Sequence, residues 1–492
     1  MDSTENFRPD ACRGQFVIGR EASPHLAGVP HHAIRLDAFE IRAFEGMPAF
    51  AVADASGATI GAFLGHPVDL AEGRVLAGPL ALDAALGADV DGFIEERIYR
   101  RLSGSFLFVL DHGGHRRVYL DASGTTSAVY DPQAGRVAAT TPLLLDPKEY
   151  RARFDTELHD FLRVPRDGWF PGGLTAHLGI HRIQCNHYLD LDTWQQHRHW
   201  PRGPIPQARN PEDACRVVAE ATLDTIKALR ASGTVALALT GGNESRLMLA
   251  LCRDVVKDMD FVTIANREQR VDMALVRQLV DRFDLPHRFL PGLVATPEEV
   301  EAYVLRAGHC MGDARAQAFP SVAPLAGGDY FVNGYGGEVA RGFFWRGGDT
   351  AETPLDARGI TTRLGMPVHP KVVEAVGRWL EGVDGLDSFM KLDLAYLELR
   401  LAPWAFANAY GTPEVCHIHP MVSRRAFEAM ASLPPDWRRS GRLIGAIIEM
   451  YWPELLTIHI NRYGDYRDLV QLVRRVATHP SQIMRKLRRK LA

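Results

Sequence analysis

A short apolar strand that runs through two glycines directly into a helix constrains this chain more than any other feature. The residues are VALALT (235–240), then GGNES, then the helical pattern LMLALCRDVV. A fully apolar strand is typical of a parallel sheet that is buried on both faces. Glycines let the backbone pass close to a ligand, and a helix start offers unpaired N–H groups and a positive dipole end. The turn fits a phosphate group, and a purely structural strand–turn–helix connection explains it equally well.

Polar side chains in the same turn favour the phosphate hypothesis. Thr240 and Ser245 supply hydroxyl donors, and Glu244 supplies a carboxylate that can hold Mg²⁺ beside phosphates. Two common nucleotide motifs are excluded, because the turn matches neither GxxxxGK[ST] nor GxGxxG.

The rest of the C-terminal half alternates strands with helices. FVTIA (261–265) and YFVNG (330–334) read as strands, and VDMALVRQLVDRF (271–283) reads as a helix. Asn210 is placed to cap a helix that runs through Ser232, and residues from about 370 onward have a mainly helical pattern. This alternation predicts an α/β fold with a parallel sheet and right-handed crossovers.

The N-terminal part has a different, mostly β pattern. The segment Ser105–Leu120 predicts a hairpin, with FLFVL and RVYL on either side of His112-Gly113-Gly114. The pattern also predicts two helices and a Pro-rich linker, over Asp91–Leu102, Pro147–Leu162 and Trp200–Pro211. The chain of 492 residues therefore divides into two predicted domains, 1–200 and 211–492.

Composition narrows the class of protein further. The 56 basic and 60 acidic residues leave the chain near neutral, which argues against a general nucleic-acid partner. No window has ~18 consecutive apolar residues, so no membrane span is expected, and the N-terminus lacks the pattern of a signal peptide. The cysteines are scattered and form no CxxC pair, which predicts a reduced, cytoplasmic protein.

Several segments of the C-terminal part carry a resemblance to a known family. TGGNESR resembles the SGGxDS pyrophosphate loop of the asparagine synthetase superfamily, the PP-loop ATP pyrophosphatases. FVNGYGGEVARGF (331–343) resembles the family's GxGxDExxxG segment, and Asp272-Met273-Ala274 with Leu285-Pro286-His287 resembles the stretch between them. HIHPMVSRRAFEAMASLP (417–434) resembles a further C-terminal region of the family. The order of these segments agrees with the PP-loop synthetase fold.

The resemblance extends to the N-terminal part. Residues 104–130 are similar to the family's glutaminase domain, an Ntn-hydrolase-like αββα fold. In the family the nucleophile is the cysteine exposed when the initiator Met is removed, whereas Asp2 stands at that position here and Cys12 lies too far along the chain. We expect no glutaminase activity, because attack on a glutamine amide requires that thiolate. The β-lactam synthetases and lasso-peptide cyclases of the superfamily share this feature.

The resemblance implies an ATP-dependent ligase that forms an amide through an acyl-adenylate and releases AMP and pyrophosphate. It implies ATP and Mg²⁺ as cofactors, a carboxylate and an amine as substrates, either small molecules or peptides, and a role in specialised-metabolite, peptide or polysaccharide biosynthesis. The resemblance leaves open whether the protein forms an oligomer or binds a protein partner encoded in the same gene cluster. The implied nucleotide-binding residues are Thr240, Gly241, Gly242, Glu244, Ser245, Ile264 and Gly334.

The departures from the family pattern concern its charged residues. Glu244 and Glu338 stand where the family has the two Mg²⁺-binding aspartates, which keeps the charge and the oxygen ligands. The family's essential Lys is missing from the segment 459–468, and Arg462 is nearest to its place as a candidate catalytic residue. Tyr335, beside Gly334, is a second candidate for contact with substrate.

A non-catalytic scaffold or regulatory protein is the competing hypothesis. Glu244 and Glu338 facing one cation would favour catalysis, whereas Arg246 or Arg341 filling the gap between them would favour the scaffold. Arg246 is interpreted as a helix-surface residue and Arg341 as a partner of Glu338 or of substrate. A PP-loop enzyme of thiolation or nucleotide modification is a third class, disfavoured because no CxxC is present.

Overall fold

The computed structural model describes residues 9–469, apart from 22, 165, 167, 266–269 and 466. Asp2 and the end of the predicted C-terminal domain, 470–492, lie outside the described residues. Within this range the chain is a mixed α/β protein with two antiparallel sheets before residue 200 and a parallel sheet after it.

The first sheet has six antiparallel strands in the order β12-β10-β11-β1-β3-β2. The hairpin partners β10 and β11 pair over three residues, and β1 lies between β11 and β3. The strands of this sheet are β1 (Phe16–Gly19), β2 (His31–Arg35), β3 (Glu40–Phe44), β10 (Val129–Asp131), β11 (Arg136–Ala138) and β12 (His181–Arg182).

The second sheet has eight strands in the order β14-β13-β9-β8-β5-β4-β7, with β6 on β5, and among the described strands of this sheet only β4 and β7 pair in parallel. The predicted hairpin is confirmed, with Gly113 and Gly114 both at positive φ in its turn. The strands are β4 (Ala49–Ala53), β5 (Thr59–Asp69), β6 (Arg74–Val75), β7 (Leu80–Ala81), β8 (Leu102–His112), β9 (His115–Leu120), β13 (His187–Asp190) and β14 (Gln196–Arg198).

Helices in the N-terminal part are short. They are α1 (Pro9–Cys12), α2 (Val90–Ile94), α3 (Pro147–Ala152) and α4 (Thr156–Phe161). The predicted helix Asp91–Leu102 is confirmed through Tyr99, with a π-helical turn after α2, and only its end is wrong, because strand β8 already begins at Leu102. The single helix predicted over Pro147–Leu162 is broken, because Asp155 caps a new helix through the Leu158 N–H. The αββα arrangement of this part stays a prediction.

The third sheet is parallel throughout, in the order β17-β16-β15-β18-β19. The predicted strands at 235, 261 and 330 are confirmed, whereas the two edge strands were not predicted. One face packs on the large hydrophobic core through Leu237 and Phe261, and the other on a small cluster with Val262 and Phe331. The strands are β15 (Val235–Ala238), β16 (Asp260–Ile264), β17 (His287–Leu290), β18 (Tyr330–Val332) and β19 (His417–Ile418).

Helices fill the remainder of the C-terminal part. The predicted helix from Pro211 to Ser232 is confirmed, with the Asn210 side chain accepting from the Glu212 N–H. These helices are α5 (Pro211–Ser232), α6 (Asn243–Leu251), α7 (Arg270–Phe283), α8 (Pro297–Arg306), α9 (Asp313–Ala318), α10 (Ala357–Arg363), α11 (Pro370–Glu381), α12 (Ser388–Leu394), α13 (Ala402–Ala405), α14 (Ala407–Gly411), α15 (Arg424–Ser432), α16 (Pro435–Ser440) and α17 (Arg442–Tyr451).

A buried polar contact joins the two parts of the chain. Glu398 accepts two hydrogen bonds of 2.7 Å from Arg198, one of 3.0 Å from Asn186 and one of 2.6 Å from the Trp379 indole. Glu398 is 2% exposed, and its carboxylate is therefore stabilised by a full set of donors. Arg198 and Glu398 thus form a buried ion pair whose acceptor oxygens are fully hydrogen-bonded.

Candidate functional site

The strand order places one loop at the centre of the parallel sheet. The chain runs from β15 outward through β16 and β17, then crosses to β18 on the other side of β15. The carboxyl ends of β15 and β18 are therefore a topological switch point, where open α/β sheets form their ligand crevices. Residues 239–242 connect β15 to α6 at this position.

Hydrogen bonds within the turn fix its shape. The Thr240 and Ser245 hydroxyls are 2.9 Å apart, and the Thr240 N–H donates to the Ser245 hydroxyl. The Gly242 N–H donates to the Thr240 hydroxyl, and the Gly241 N–H donates to the Asp272 carboxylate at 3.1 Å. Gly242 is the N-cap of α6 and gives no side-chain cap, so the first N–H groups of α6 have no side-chain acceptor there.

Two glycines make room for Glu244. A Cβ atom on Gly334 would lie 2.5 Å from the Glu244 Cβ, and one on Gly337 would lie 2.8 Å from its Cγ. Both distances are shorter than carbon atoms tolerate. The segment after β18 therefore needs glycine at both positions in order to receive the first turn of α6.

The two candidate metal carboxylates face the same cation, which is Arg341. Its Nη2 lies 3.1 Å from Glu244 Oε1 and 3.5 Å from Glu338 Oε1. Glu338 and Arg341 come from one 3-10 turn, Gly337–Arg341, and Glu244 comes from α6. Arg341 thus fills the gap between the two glutamates, which is the arrangement that the sequence analysis gives as favouring the scaffold.

Arg341 makes longer contacts with its carboxylates than Arg198 makes with Glu398. Three buried atoms of this cluster, Glu244 Oε1, Glu338 Oε2 and Arg341 Nε, have no hydrogen-bond partner among the described residues. The Arg341 side chain keeps 34% of its surface exposed, against 11% for Arg198. Glu244 Oε1 has the ion pair with Arg341 but no hydrogen bond, and a metal ion or a further donor would stabilise such a buried carboxylate oxygen.

Burial and like charge shift the pKa values of two residues in this cluster. Burial, with the charge of Glu338 second, raises the pKa of Glu244 above its ordinary value, although Arg341 opposes the shift. Burial and the adjacent Glu338 carboxylate raise the pKa of Tyr396 well above its ordinary value. Tyr396 was not singled out from the sequence, because only packing of the C-terminal helices brings it beside Glu338.

Arg246 has a different place from the one predicted. It is fully buried and donates to the carbonyl oxygens of Leu455, Ile458 and His459. The prediction of a helix-surface residue is wrong, because a segment more than two hundred positions downstream covers this face of α6. Burial lowers the pKa of Arg246 to about 10, and the group stays charged at neutral pH.

The same downstream segment reaches the glycine turn. The Asn461 N–H donates to the Gly241 carbonyl at 2.9 Å, and the next residue, Arg462, is exposed. Arg462 is thus adjacent in the chain to a residue that touches the turn, with its side chain open to solvent.

The remaining candidate residues lie at the carboxyl edge of the sheet. Ile264 is the last residue of β16 and is 36% exposed. Tyr335 follows Gly334, is half-buried, and its ring lies 4.9 Å from the ring of His419 and 5.6 Å from Trp404. The Asn333 side chain links the two, since it accepts from the Tyr335 N–H and from His419 Nδ1.

The cysteines of the described residues are free thiols. Cys12 is fully buried, and burial raises its pKa to about 11, which keeps the thiol protonated at neutral pH. Such a thiol is a poor nucleophile.

Two features of the described residues limit the class of site. No group of three or more His, Cys, Asp or Glu side chains in the described part of the chain is placed to hold a metal ion. Among the helices described, none combines the length and apolar character that crossing a membrane requires.

Comparison with known proteins gives little. No protein-family model matches the chain, and no curated protein matches it. Among solved structures, the NMN synthetase from Francisella tularensis matches with 13% identity and a TM-score of 0.21, over 42% of this chain and 94% of that one. A likeness of this size supports no statement about fold or function, and the function is inferred below from the site.

Proposed function

We propose that the protein is an ATP-dependent carbon–nitrogen ligase whose nucleotide site is the turn 240–245 with Glu244 and Glu338. The observation that carries the proposal is the pair of glutamates at the switch point of the parallel sheet, where Arg341 is their shared ion-pair partner and one buried oxygen of each has no hydrogen bond from the described residues. Ligands of open α/β sheets bind at such a point, and a helix start there favours phosphate.

The turn supplies donors and the carboxylates supply a cation site. The hydroxyls of Thr240 and Ser245 and the first N–H groups of α6 would bind phosphate oxygens. Glu244 and Glu338 have the hard oxygen atoms that Mg²⁺ prefers, and their unsatisfied oxygens fit such an ion. When bound, Mg²⁺ would neutralise charge on the phosphates; Arg341 would then turn from the carboxylates toward the phosphates.

The reaction class follows from the resemblance. A substrate carboxylate oxygen bonds to the α-phosphorus of ATP, the bond to the β-phosphate bridging oxygen breaks, and pyrophosphate leaves. An amine nitrogen then bonds to the acyl carbon, AMP leaves, and the amine loses a proton. Glutamine is not the amine donor in this proposal, because Cys12 is a buried thiol. Arg462 and Tyr335 are the proposed residues beside the reacting groups.

A catalytically inactive scaffold is the second candidate, and Arg341 favours it. A guanidinium between two carboxylates replaces the charge of a metal ion and removes the need for one. The looser contacts of Arg341 support the ligase over this candidate: its Nη2 lies 3.1 and 3.5 Å from the two carboxylates, whereas Arg198 makes two hydrogen bonds of 2.7 Å to Glu398.

Calorimetric titration with ATP tests the proposal. Wild type is expected to bind ATP with Mg²⁺ present and to lose most of the affinity in EDTA. Glu244→Ala and Glu338→Ala should each weaken binding at least ~tenfold, because each removes a charged ligand. Glu374→Ala, which removes an exposed glutamate of α11, is the matched control and should bind as wild type does. Absence of ATP binding to folded wild type would refute the ligase and leave the scaffold.

A further inference from the structure

An arginine stacked on a tryptophan lies beside the candidate nucleotide site. The Arg315 guanidinium carbon is 3.6 Å from the centre of the Trp404 ring. The Arg400 guanidinium lies 4.2 Å from the same ring centre. Arg315 belongs to α9 and Trp404 to α13, so the contact joins two separate helices at the carboxyl side of the sheet.

Several N–H groups of Arg315 make no hydrogen bond to the described residues. Its Nη1 donates to the Trp404 carbonyl and to Asn408 Oδ1, both at 3.2 Å. Its other nitrogens make no hydrogen bond to the described residues, and no carboxylate among the described side chains lies within 4.0 Å of it. A guanidinium has five N–H donors in a fork that matches a carboxylate. The part of Arg315 that remains open therefore suits an anion.

The groups around Arg315 do not neutralise it. His417 and His419 are buried, and burial, with the charge of Arg315 contributing, lowers the pKa of His417 to about 4 and of His419 to about 3. Both imidazoles are neutral at pH 7. Tyr335 completes the surroundings with an aromatic ring 5.6 Å from Trp404. A cation among aromatic and neutral groups attracts an anion more strongly than it would in water.

The arrangement is continuous with the candidate nucleotide site. Tyr335 follows Gly334, which packs directly against Glu244. Tyr396 and Arg400 lie on one π-helical segment, Ala395–Leu401, and Tyr396 is beside Glu338. π-helical insertions in α-helices are frequent at functional sites. A molecule bound by Arg315 and Tyr335 would thus be a near neighbour of a nucleotide on the turn 240–245.

We propose that Arg315 binds the carboxylate of the substrate and that the Tyr335 ring contacts a flat apolar group attached to it, while Trp404, whose ring carries the Arg315 and Arg400 guanidiniums, holds Arg315 in place. This inference rests on the proposed ligase function and assigns its substrate class: an aromatic or otherwise planar carboxylic acid. Arg315 is a binding residue in this account, because it would touch the substrate itself.

Benzoate, with its neutral isostere benzamide, is the probe for this site. Saturation-transfer NMR and calorimetry should detect benzoate binding to wild type and much weaker binding of benzamide. Arg315→Gln should weaken benzoate binding about tenfold, the scale of one charge-assisted contact. Arg442→Gln is the matched control, since Arg442 also stacks on a tryptophan, Trp437, at 4.6 Å, and should bind benzoate as wild type does.

ATP titrations of the same variants separate this inference from the proposed function. Arg315→Gln should bind MgATP as wild type does, and thermal unfolding should show that it is folded. Trp404→Phe keeps an aromatic ring and should retain part of the affinity for benzoate. The inference is overturned if benzoate does not bind, if benzamide binds equally well, or if Arg442→Gln weakens binding as much as Arg315→Gln. None of these results depends on whether ATP binds.

Discussion

Asp121 in the antiparallel part is a buried acid and Glu244 in the parallel part is a half-buried one, and their surroundings differ. Asp121 accepts hydrogen bonds from the N–H groups of Ser123, Thr125 and Thr126 and from the Ser123 hydroxyl. Glu244 faces another carboxylate and an arginine, and one of its oxygens has no hydrogen-bond partner among the described residues. A buried acid that completes a turn needs nothing more, whereas one left unsatisfied at a switch point is set up for a ligand.

The two parts also differ in the sequence separation of the residues that form these hydrogen bonds. The donors to Asp121 are two to five residues away in the sequence. In the parallel part, by contrast, the Gly241 carbonyl accepts from Asn461, and Arg246 donates to carbonyls of residues 455–459, more than two hundred positions away. The parallel part therefore depends on contacts between distant segments, and substitutions in the two parts should differ accordingly.

Removal of the Arg246 charge should have the largest effect. Arg246→Met leaves the Leu455, Ile458 and His459 carbonyls without their buried donor and should lower the free energy of unfolding by about 2–4 kcal/mol. Arg253→Met is the control, because Arg253 is exposed and should cost less than ~0.5 kcal/mol. Urea denaturation measures both. Equal midpoints for the two variants would show that the downstream segment does not support α6.

Crowding of Glu244 should have the next largest effect. Gly334→Ala places a Cβ 2.5 Å from the Glu244 Cβ and should cost about 1–3 kcal/mol of stability while weakening ATP binding. At Gly348 an added Cβ would meet no atom within 4 Å, and Gly348→Ala should change neither quantity. Denaturation and calorimetry are the measurements. An unaltered Gly334→Ala protein would mean that the segment after β18 does not pack on α6.

Replacement of the satisfied acid should be costly although it removes a charge. Asp121→Asn puts an amide NH₂ against backbone N–H donors and should lower stability by about 1–2 kcal/mol. Asp190→Asn is the matched control: Asp190 accepts from the same kind of turn near the surface, where water can replace a lost acceptor. A smaller loss at Asp121 than at Asp190 in thermal unfolding would contradict the comparison.

The same conservative change at Glu244 should have a small effect of opposite sign. Burial raises the pKa of both acids, but Glu244 also faces the like charge of Glu338 and lacks the donors that surround Asp121. The ionised form of Glu244 is therefore disfavoured in the folded state at neutral pH, with no set of donors to be lost on substitution. Glu244→Gln should therefore stabilise the protein by up to about 1 kcal/mol at pH 7, with Glu374→Gln unchanged. The gain should disappear as the pH falls through the raised pKa toward the ordinary 4.5. A gain that grew at lower pH would contradict the assigned cause.

The sequence predicted what depends on local pattern. The helix Pro211–Ser232, the hairpin around Gly113-Gly114 and the strand–turn–helix at 235–251 follow from periodicity, caps and turn residues. The edge strands β17 and β19 were missed, because HRFL and a two-residue strand lack the apolar run of a buried strand.

Contacts between residues far apart in the chain limited how much of the candidate site could be predicted from the sequence. Burial of Arg246, the approach of Tyr396 to Glu338 and the stacking of Arg315 on Trp404 each join residues far apart in the chain. Local pattern contains no signal for such contacts. The spacing of Glu338 and Arg341, three residues apart, did indicate a pair, but the role of Glu244 in it required the fold.

The central claim is that Glu244 and Glu338 form a cation site in which Arg341 holds the place of a metal ion. The most direct test is a Mg²⁺ titration, with ATP present, of wild type and Arg341→Gln. The account predicts Mg²⁺-dependent ATP binding in both proteins, with a lower Mg²⁺ requirement in Arg341→Gln because the competing guanidinium is gone. ATP binding that is independent of Mg²⁺ in both proteins, or absent from both, would contradict it.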